Sequence, residues 1–151
     1  MTLAYKPEHF SEVIEEWRVL AVEHWNEIAL NKDRIKLNPN WAAYEQTDKE
    51  GRWFCVTARD GTKLVGYFIG FVMPHLHYVD SMTLFYDIFY LKPEYRKGRA
   101  GILLFKKVEE EAKLRGVEKI YVSTKLSHDM GKLFDYLDYT PIERVYSKMI
   151  G

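Results

Sequence analysis

The chain has 151 residues, 22 Lys+Arg balanced by 22 Asp+Glu, and a single cysteine. This length suits one domain, 1–151, with a substantial core, while zero formal net charge excludes a nucleic-acid or anionic-membrane binder that works through bulk charge. A lone Cys55 excludes an intrachain disulfide and a multi-cysteine zinc cluster, and its apolar strand surroundings mark it as a buried, inert thiol.

In chain order, residues 2–5 read as a short first strand. Pro7 suits the first turn of a helix in which Phe10, Val13, Ile14, Trp17, Leu20, Ala21, Trp25 and Ile28 recur on one face. Asn38-Pro39-Asn40 breaks the chain, and Asn40 can cap a second helix over 41–49. Residues 52–59 and 63–73 are strands joined through Asp60-Gly61, a hairpin signal. Gly66 and Gly70 in the second strand permit close approach of another backbone or a ligand. Residues 74–81 read as a loop carrying His75, His77 and Tyr78, and 82–91 as the next strand. A helix follows over 101–115, with Gly116 as its C-terminal cap and Glu109–Lys113 and Glu111–Arg115 pairs on its outer face. Residues 118–123 are a fifth strand, 129–137 a helix and 142–148 a last strand. Strands alternate with helices only in the second half. That predicts an α+β fold, a mixed antiparallel/parallel sheet flanked by helices, rather than a doubly wound sheet.

No run reaches the ~18–20 apolar residues of a membrane span. The N-terminus reads polar and helical, so no secretory leader is expected and the expected location is the cytoplasm. Aromatic residues make up 15% of the chain, more than surface display requires, so most belong to the core and some are expected to line an acceptor site.

The most informative stretch is Tyr90-Leu91-Lys92-Pro93-Glu94-Tyr95-Arg96-Lys97-Gly98-Arg99-Ala100-Gly101. It ends an aromatic strand and opens an amphipathic helix through a basic, glycine-containing turn. Backbone N–H groups at a helix start lack intrahelical partners, and the helix dipole adds positive potential there. Arg96, Lys97 and Arg99 add charge, and glycine lets a ligand come close. Such a turn suits a phosphate or diphosphate. A nucleoside-triphosphate loop is excluded, because no G-x-x-x-x-G-K-[ST] occurs.

These residues resemble the GNAT superfamily of N-acetyltransferases, whose signature is a strand, a P-x-x-[RQ] approach, an [RQ]-x-x-G-x-[GA] loop and a helix. Arg96 matches the first loop position and Gly101 the last. The middle glycine falls on Arg99, with Gly98 one place earlier, a variant that looks like small members encoded by tailed bacteriophages. Leu133-Phe134-Asp135-Tyr136-Leu137-Asp138-Tyr139 is similar to a late family segment, L-Y-x-x-L-G-[FY]. There Phe134 stands where a tyrosine often protonates the leaving thiolate, and Asp138 stands for a glycine. Aspartate tolerates a left-handed helix end.

The resemblance implies acetyl-CoA as cosubstrate, held by Phe89, Tyr90 and Leu91 of the strand end and by Arg96, Lys97, Gly98, Arg99, Ala100 and Gly101 of the loop. Free amides of a splayed, bulged strand would polarise the thioester carbonyl. A base must take a proton from the attacking amine. Asp87 is the expected one: it alternates with Phe85 and Phe89 on one strand face, and burial among aromatics raises a carboxyl pKa. The competing role for Asp87 is a structural hydrogen bond to a neighbouring loop. His77, with His75, would contact substrate or relay a proton. No third ligand at suitable spacing accompanies the pair, so no metal is expected. Ser127, or His128 beside it, could donate a proton in place of the tyrosine missing at Phe134. Trp17, Trp25, Trp41 and the 74–81 segment would shape the acceptor pocket.

The function expected is acetyl transfer to a primary amine, on a small molecule or a protein, by direct attack in a ternary complex. The alternative is a catalytically weak acyl-CoA-binding protein acting through a partner. No nucleic-acid or membrane partner is expected, a homodimer is left open, and a phage-encoded protein would work in the host cytoplasm.

Overall fold

The computed structural model describes residues 2–151. Five strands form one sheet in the order β1-β2-β3-β4-β5: β1 (Ala4–Pro7), β2 (Trp53–Asp60), β3 (Lys63–His75), β4 (Tyr78–Leu91) and β5 (Lys119–Tyr121). The first three pairings are antiparallel and β4–β5 is parallel. The mixed sheet expected from the sequence is therefore present. Its parallel pair is β4–β5, where helix α3 (Ala100–Leu114) makes the crossover.

Alternation along the strands sends side chains into two cores. Trp53, Cys55, Tyr67, Ile69 and Tyr90 pack under α1 (Phe10–Ile28) and α2 (Trp41–Lys49). Phe54, Val56, Phe68, Val72 and Leu84 pack under α3 and α4 (Gly131–Tyr136). Helix α1 buries Phe10, Val13, Trp17, Leu20, Ala21 and His24, close to the stripe read from its spacing. Its first turn is capped from two sides: His9 N–H donates to Glu12 (2.8 Å) and Phe10 N–H to Asp48 of α2 (3.0 Å). Asn40 caps α2 as expected, accepting from Ala43 N–H at 3.0 Å.

A buried ion cluster ties α1 to the sheet. Arg59 donates to Glu8 at 2.7 and 2.9 Å and to Glu16 at 2.8 Å, and Glu16 also accepts from Leu64 N–H. Burial alone would raise the Glu8 carboxyl pKa; hydrogen bonds from Arg59 and Thr57 overcome this and hold it below its ordinary value.

Four expectations need correction. Pro7 is the last residue of β1 rather than the start of a helix, tolerated because β1 is an edge strand that can lack one donor. Residues 74–81 are not a loop. β3 and β4 continue as a long hairpin whose register closes with His75 opposite Tyr78. Residues 142–148 form no strand, because a strand needs a partner edge and β5 is only three residues long. The expected outer-face pairs of α3 are absent. Lys107 takes Glu111 at 3.2 Å, Arg115 donates to the carbonyls of Trp53 and Gly51, and one Glu109 oxygen is buried without a partner.

Candidate active site

After Leu91 the chain makes a single 3₁₀ turn, Pro93–Tyr95, and then the loop that opens α3. Gly98 takes φ +56°, a left-handed conformation costly for any residue with a Cβ. The glycine displaced by one place in the sequence motif thus suits the conformation it takes. Among the described residues, the N–H groups of Lys97, Gly98, Arg99, Gly101 and Ile102 have no protein partner, while Ala100 N–H bonds weakly to Lys97 O at 3.3 Å. Unpaired amides at a helix start are the kind of donors an anion accepts from.

The side chains of this loop divide. Arg96 is bound to the protein: its Nε donates to Leu91 O (2.6 Å), and its Nη2 reaches both oxygens of Glu27 on α1 (2.8 and 2.9 Å). Lys97 and Arg99 make no ion pair or hydrogen bond among the described residues. Phe89 and Tyr90 are core residues. Phe89 packs on Phe105 at 5.2 Å between ring centroids, and Tyr90 is 5% exposed and stacks on His24 at 4.7 Å. Tyr90 therefore offers a ligand little but its backbone, while Phe89 is only partly buried.

That backbone is accessible on one side. β4 pairs with β5 only over Thr83–Phe85, so the β5-facing edge from Tyr86 to Leu91 carries no ladder bonds among the described residues. On the β3 side the register steps from Ile69–Ile88 to Gly70–Tyr86. Asp87 is the extra residue of this bulge. The bulge resets alternation. Asp87 shares the α1/α2 face with Phe85, but Phe89 lies on the α3 face with Tyr86, which corrects the expected Phe85–Asp87–Phe89 stripe.

Asp87 accepts a 2.6 Å hydrogen bond from Tyr44 of α2. Burial raises its pKa, and the Tyr44 bond partly counters the rise. The Tyr44 ring stacks on Phe71 (6.1 Å), and Phe85, opposite Phe71, stacks on Tyr121 (5.4 Å). Aromatic rings therefore run across the sheet beside Asp87. Tyr44 had no signal in the sequence, since nothing in its helical spacing announces a partner on another element. Glu27 was equally hidden, as one acid among several on the polar side of α1.

The remaining candidates stand apart from Asp87. His77 sits at the β3–β4 hairpin tip, its N–H donating to His75 Nδ1 (3.0 Å) with the two rings 5.3 Å apart. Ser127 lies on an exposed turn, with its hydroxyl 3.2 Å from His128 Nδ1. Neither contacts Asp87. Trp17, expected at a pocket, is buried beneath Trp41 and Tyr44. Phe134 is core, packed on Phe89 and Phe105, and Asp138 takes the left-handed helix end expected of it, φ +64°.

Residues 10–133 match the family model for the acetyltransferase (GNAT) family. A search of curated proteins gives no match. Among solved structures, an aminoglycoside acetyltransferase from an uncultured soil metagenomic sample aligns over 100% of both chains with TM-score 0.75 and 15% identity. The ribosomal-protein-alanine N-acetyltransferase of Brucella melitensis biovar Abortus 2308 aligns over 99% of this chain and 100% of its own (TM-score 0.68, 16% identity). A predicted acetyltransferase from Clostridium acetobutylicum, solved with acetyl-CoA, aligns over 98% and 96% (TM-score 0.72, 10% identity). The fold and the motif loop thus define an acyl-CoA-dependent transferase. This chain belongs to the acetyltransferase (GNAT) family, whose cosubstrate is acetyl-CoA.

Proposed function

We propose that the protein transfers the acetyl group of acetyl-CoA to a primary amine by direct attack in a ternary complex, with Asp87 as general base. The carrying observation is that β4 supplies a bulged carboxylate at Asp87 and an open backbone edge beyond it, and that the loop following it presents the free amides of Lys97, Gly98, Arg99, Gly101 and Ile102. In this reading those amides, with Lys97 and Arg99, hold the diphosphate, and the edge at Phe89–Leu91 lies along the pantetheine arm. Acetyl-CoA supplies an activated thioester when bound.

Asp87 takes the proton from the incoming ammonium, oriented by the Tyr44 hydroxyl, so that a neutral amine attacks. Free N–H groups of the β4 edge receive the developing negative charge on the carbonyl oxygen. A thiol of pKa about 8.5 leaves tolerably as thiolate, so the absence of a hydroxyl at Phe134 is tolerated. Direct attack is supported by Cys55, which is buried beneath α1 with its thiol pKa pushed well up by burial and so is unsuited to carry an acyl group. Phe85, Phe71 and Tyr121 would form the wall on which the acceptor rests, whether small molecule or protein. Exposed Ile142, Val145, Tyr146 and Ile150 support a homodimer, and the cytoplasm, of the host for a phage-encoded chain, is the proposed location.

The second reading, an acyl-CoA-binding protein with little turnover, is favoured by one observation: Phe134 leaves no hydroxyl at the position where the family often carries its acid. Two measurements separate the readings. Isothermal titration with acetyl-CoA should give micromolar binding weakened in Arg99→Ala, and absence of binding by the folded protein overturns the cofactor site. Thiol release across an amine panel should show turnover, with Asp87→Asn binding acetyl-CoA normally while kcat falls about 10²–10⁴-fold. Binding without thiol release for any amine supports the second reading.

A further inference from the structure

Helix α1 reaches the loop region through two acids four residues apart. Glu27 grips Arg96 with both carboxylate oxygens, and a Glu23 oxygen lies 3.9 Å from Lys92 Nζ at the other end of the 3₁₀ turn. Between them on the same helix, His24 stacks on Tyr90, and the Arg96 guanidinium lies over the Tyr90 ring at 5.5 Å. The turn itself is held by the Tyr95 hydroxyl, which donates to Asp60 at 2.8 Å. Beyond Arg96 the loop's own side chains supply no further anchor, and the one tether from outside is the Tyr5 hydroxyl of β1, which donates to Ala100 O at 3.1 Å. Among the described residues, Lys97 and Arg99 have no side-chain partner and Gly98 is left-handed. Arg96 is therefore the last of the loop's own side chains to tether the chain before the free amides of 97–99, 101 and 102.

This contact is half-exposed, with Arg96 and Glu27 side chains at 40% and 25%, and exposed ion pairs contribute little to global stability. A bidentate guanidinium–carboxylate pair nevertheless fixes direction as well as distance. Its effect belongs where direction matters, in presenting several N–H groups to one anion before that anion arrives. Ordering a loop in advance removes a cost that binding would otherwise carry.

We propose that Glu27 is a positioning residue of the acetyl-CoA site: it fixes Arg96, and through Arg96 the free amides that follow, so that Arg96 serves as an anchor and not as a diphosphate contact. The inference rests on the reading of the 97–102 loop as the cofactor site.

The test is a double-mutant cycle with a charge swap, measuring acetyl-CoA binding by titration, steady-state kinetics and thermal midpoints. E27A should weaken acetyl-CoA about tenfold and R96A at least as much, and E27A/R96A should be no weaker than R96A. The swap E27R/R96E should bind acetyl-CoA more tightly than R96A, since it rebuilds the pair with polarity reversed while losing the bond that Arg96 Nε donates to Leu91 O. KM for acetyl-CoA should rise with kcat unchanged, and midpoints should move by no more than about 3 °C. If E27A folds poorly, E27Q, which keeps the shape and loses the charge, should show the same weakening.

Unchanged or tighter binding in E27A overturns the proposal, because a freed Arg96 would then be contacting the diphosphate itself. A swap variant as weak as R96A also overturns it. Wild-type protein that fails to bind acetyl-CoA removes the underlying reading, an outcome distinct from wild-type binding that E27A leaves intact.

Discussion

Asp87 and Tyr44 form the contact on which the chemistry turns. A carboxyl taken out of water favours its neutral form, and an O–H donor favours the anion; both act on Asp87, with burial the larger. Tyr44→Phe removes the donor and leaves the burial. The Asp87 pKa should then rise further, moving the acid limb of the kcat/KM profile to higher pH, a shift read directly from rates across pH. His24 makes the opposite demand on the molecule. Burial pushes its pKa down to about 4 from an ordinary 6.5, so the unfolded chain takes up a proton that the folded one refuses. The stability this histidine contributes is complete above about pH 6.5 and is lost as pH falls toward 4, a swing of roughly 3 kcal/mol. Urea denaturation at pH 7 and pH 4.5 should show a smaller acid loss in His24→Phe than in the wild type.

At the scale of elements, the β4 bulge decides which residues meet. Were Asp87 paired in regular alternation with no bulge, Phe89 would share its face and Tyr90 would leave the α1 core. Gly70, opposite the bulge, makes this geometry available: a Cβ there would lie 2.5 Å from Phe85 O, closer than any side chain tolerates. Gly70→Ala should cost about 1–3 kcal/mol in denaturant unfolding. It should lower kcat more than acetyl-CoA affinity, because it disturbs Asp87 and leaves the loop at 97–102 intact. The sequence showed Gly66 and Gly70 as weak points in a strand without saying what approached them. Periodicity gives the faces of an unbroken strand, and a bulge breaks the period without leaving a mark in composition.

Across the whole molecule, the candidate site joins parts that belong to different cores. Asp87 is held from α2, the loop is anchored from α1 through Glu27, and its amides open α3. A ligand there would bridge α1, the sheet and α3, and would bind the folded chain alone. Acetyl-CoA at a hundred times its dissociation constant should therefore add about 2.7 kcal/mol to the unfolding free energy. That corresponds to a thermal shift of roughly 5–10 °C for a chain of this size, measurable by a dye-monitored melt. Gly98→Ala, which strains the loop at φ +56°, should abolish most of that shift.

Local signals determined much of this protein from sequence alone. Apolar spacing placed α1 and α3, Asn40 marked the start of α2, Asp60-Gly61 marked the hairpin, and the R-K-G-R-A-G run marked the loop and its family. These depend on residues close together in the chain, where backbone preference and periodicity act directly. Tertiary structure decided the rest: the long β3–β4 hairpin in place of a loop, the absence of a strand at 142–148, the bulge at Asp87, and the pairings of Tyr44 with Asp87 and Glu27 with Arg96. The last two join residues 43 and 69 positions apart, and the others depend on which strand edges meet. A strand forms only where an edge receives it, and a charge finds its partner only once two elements have packed.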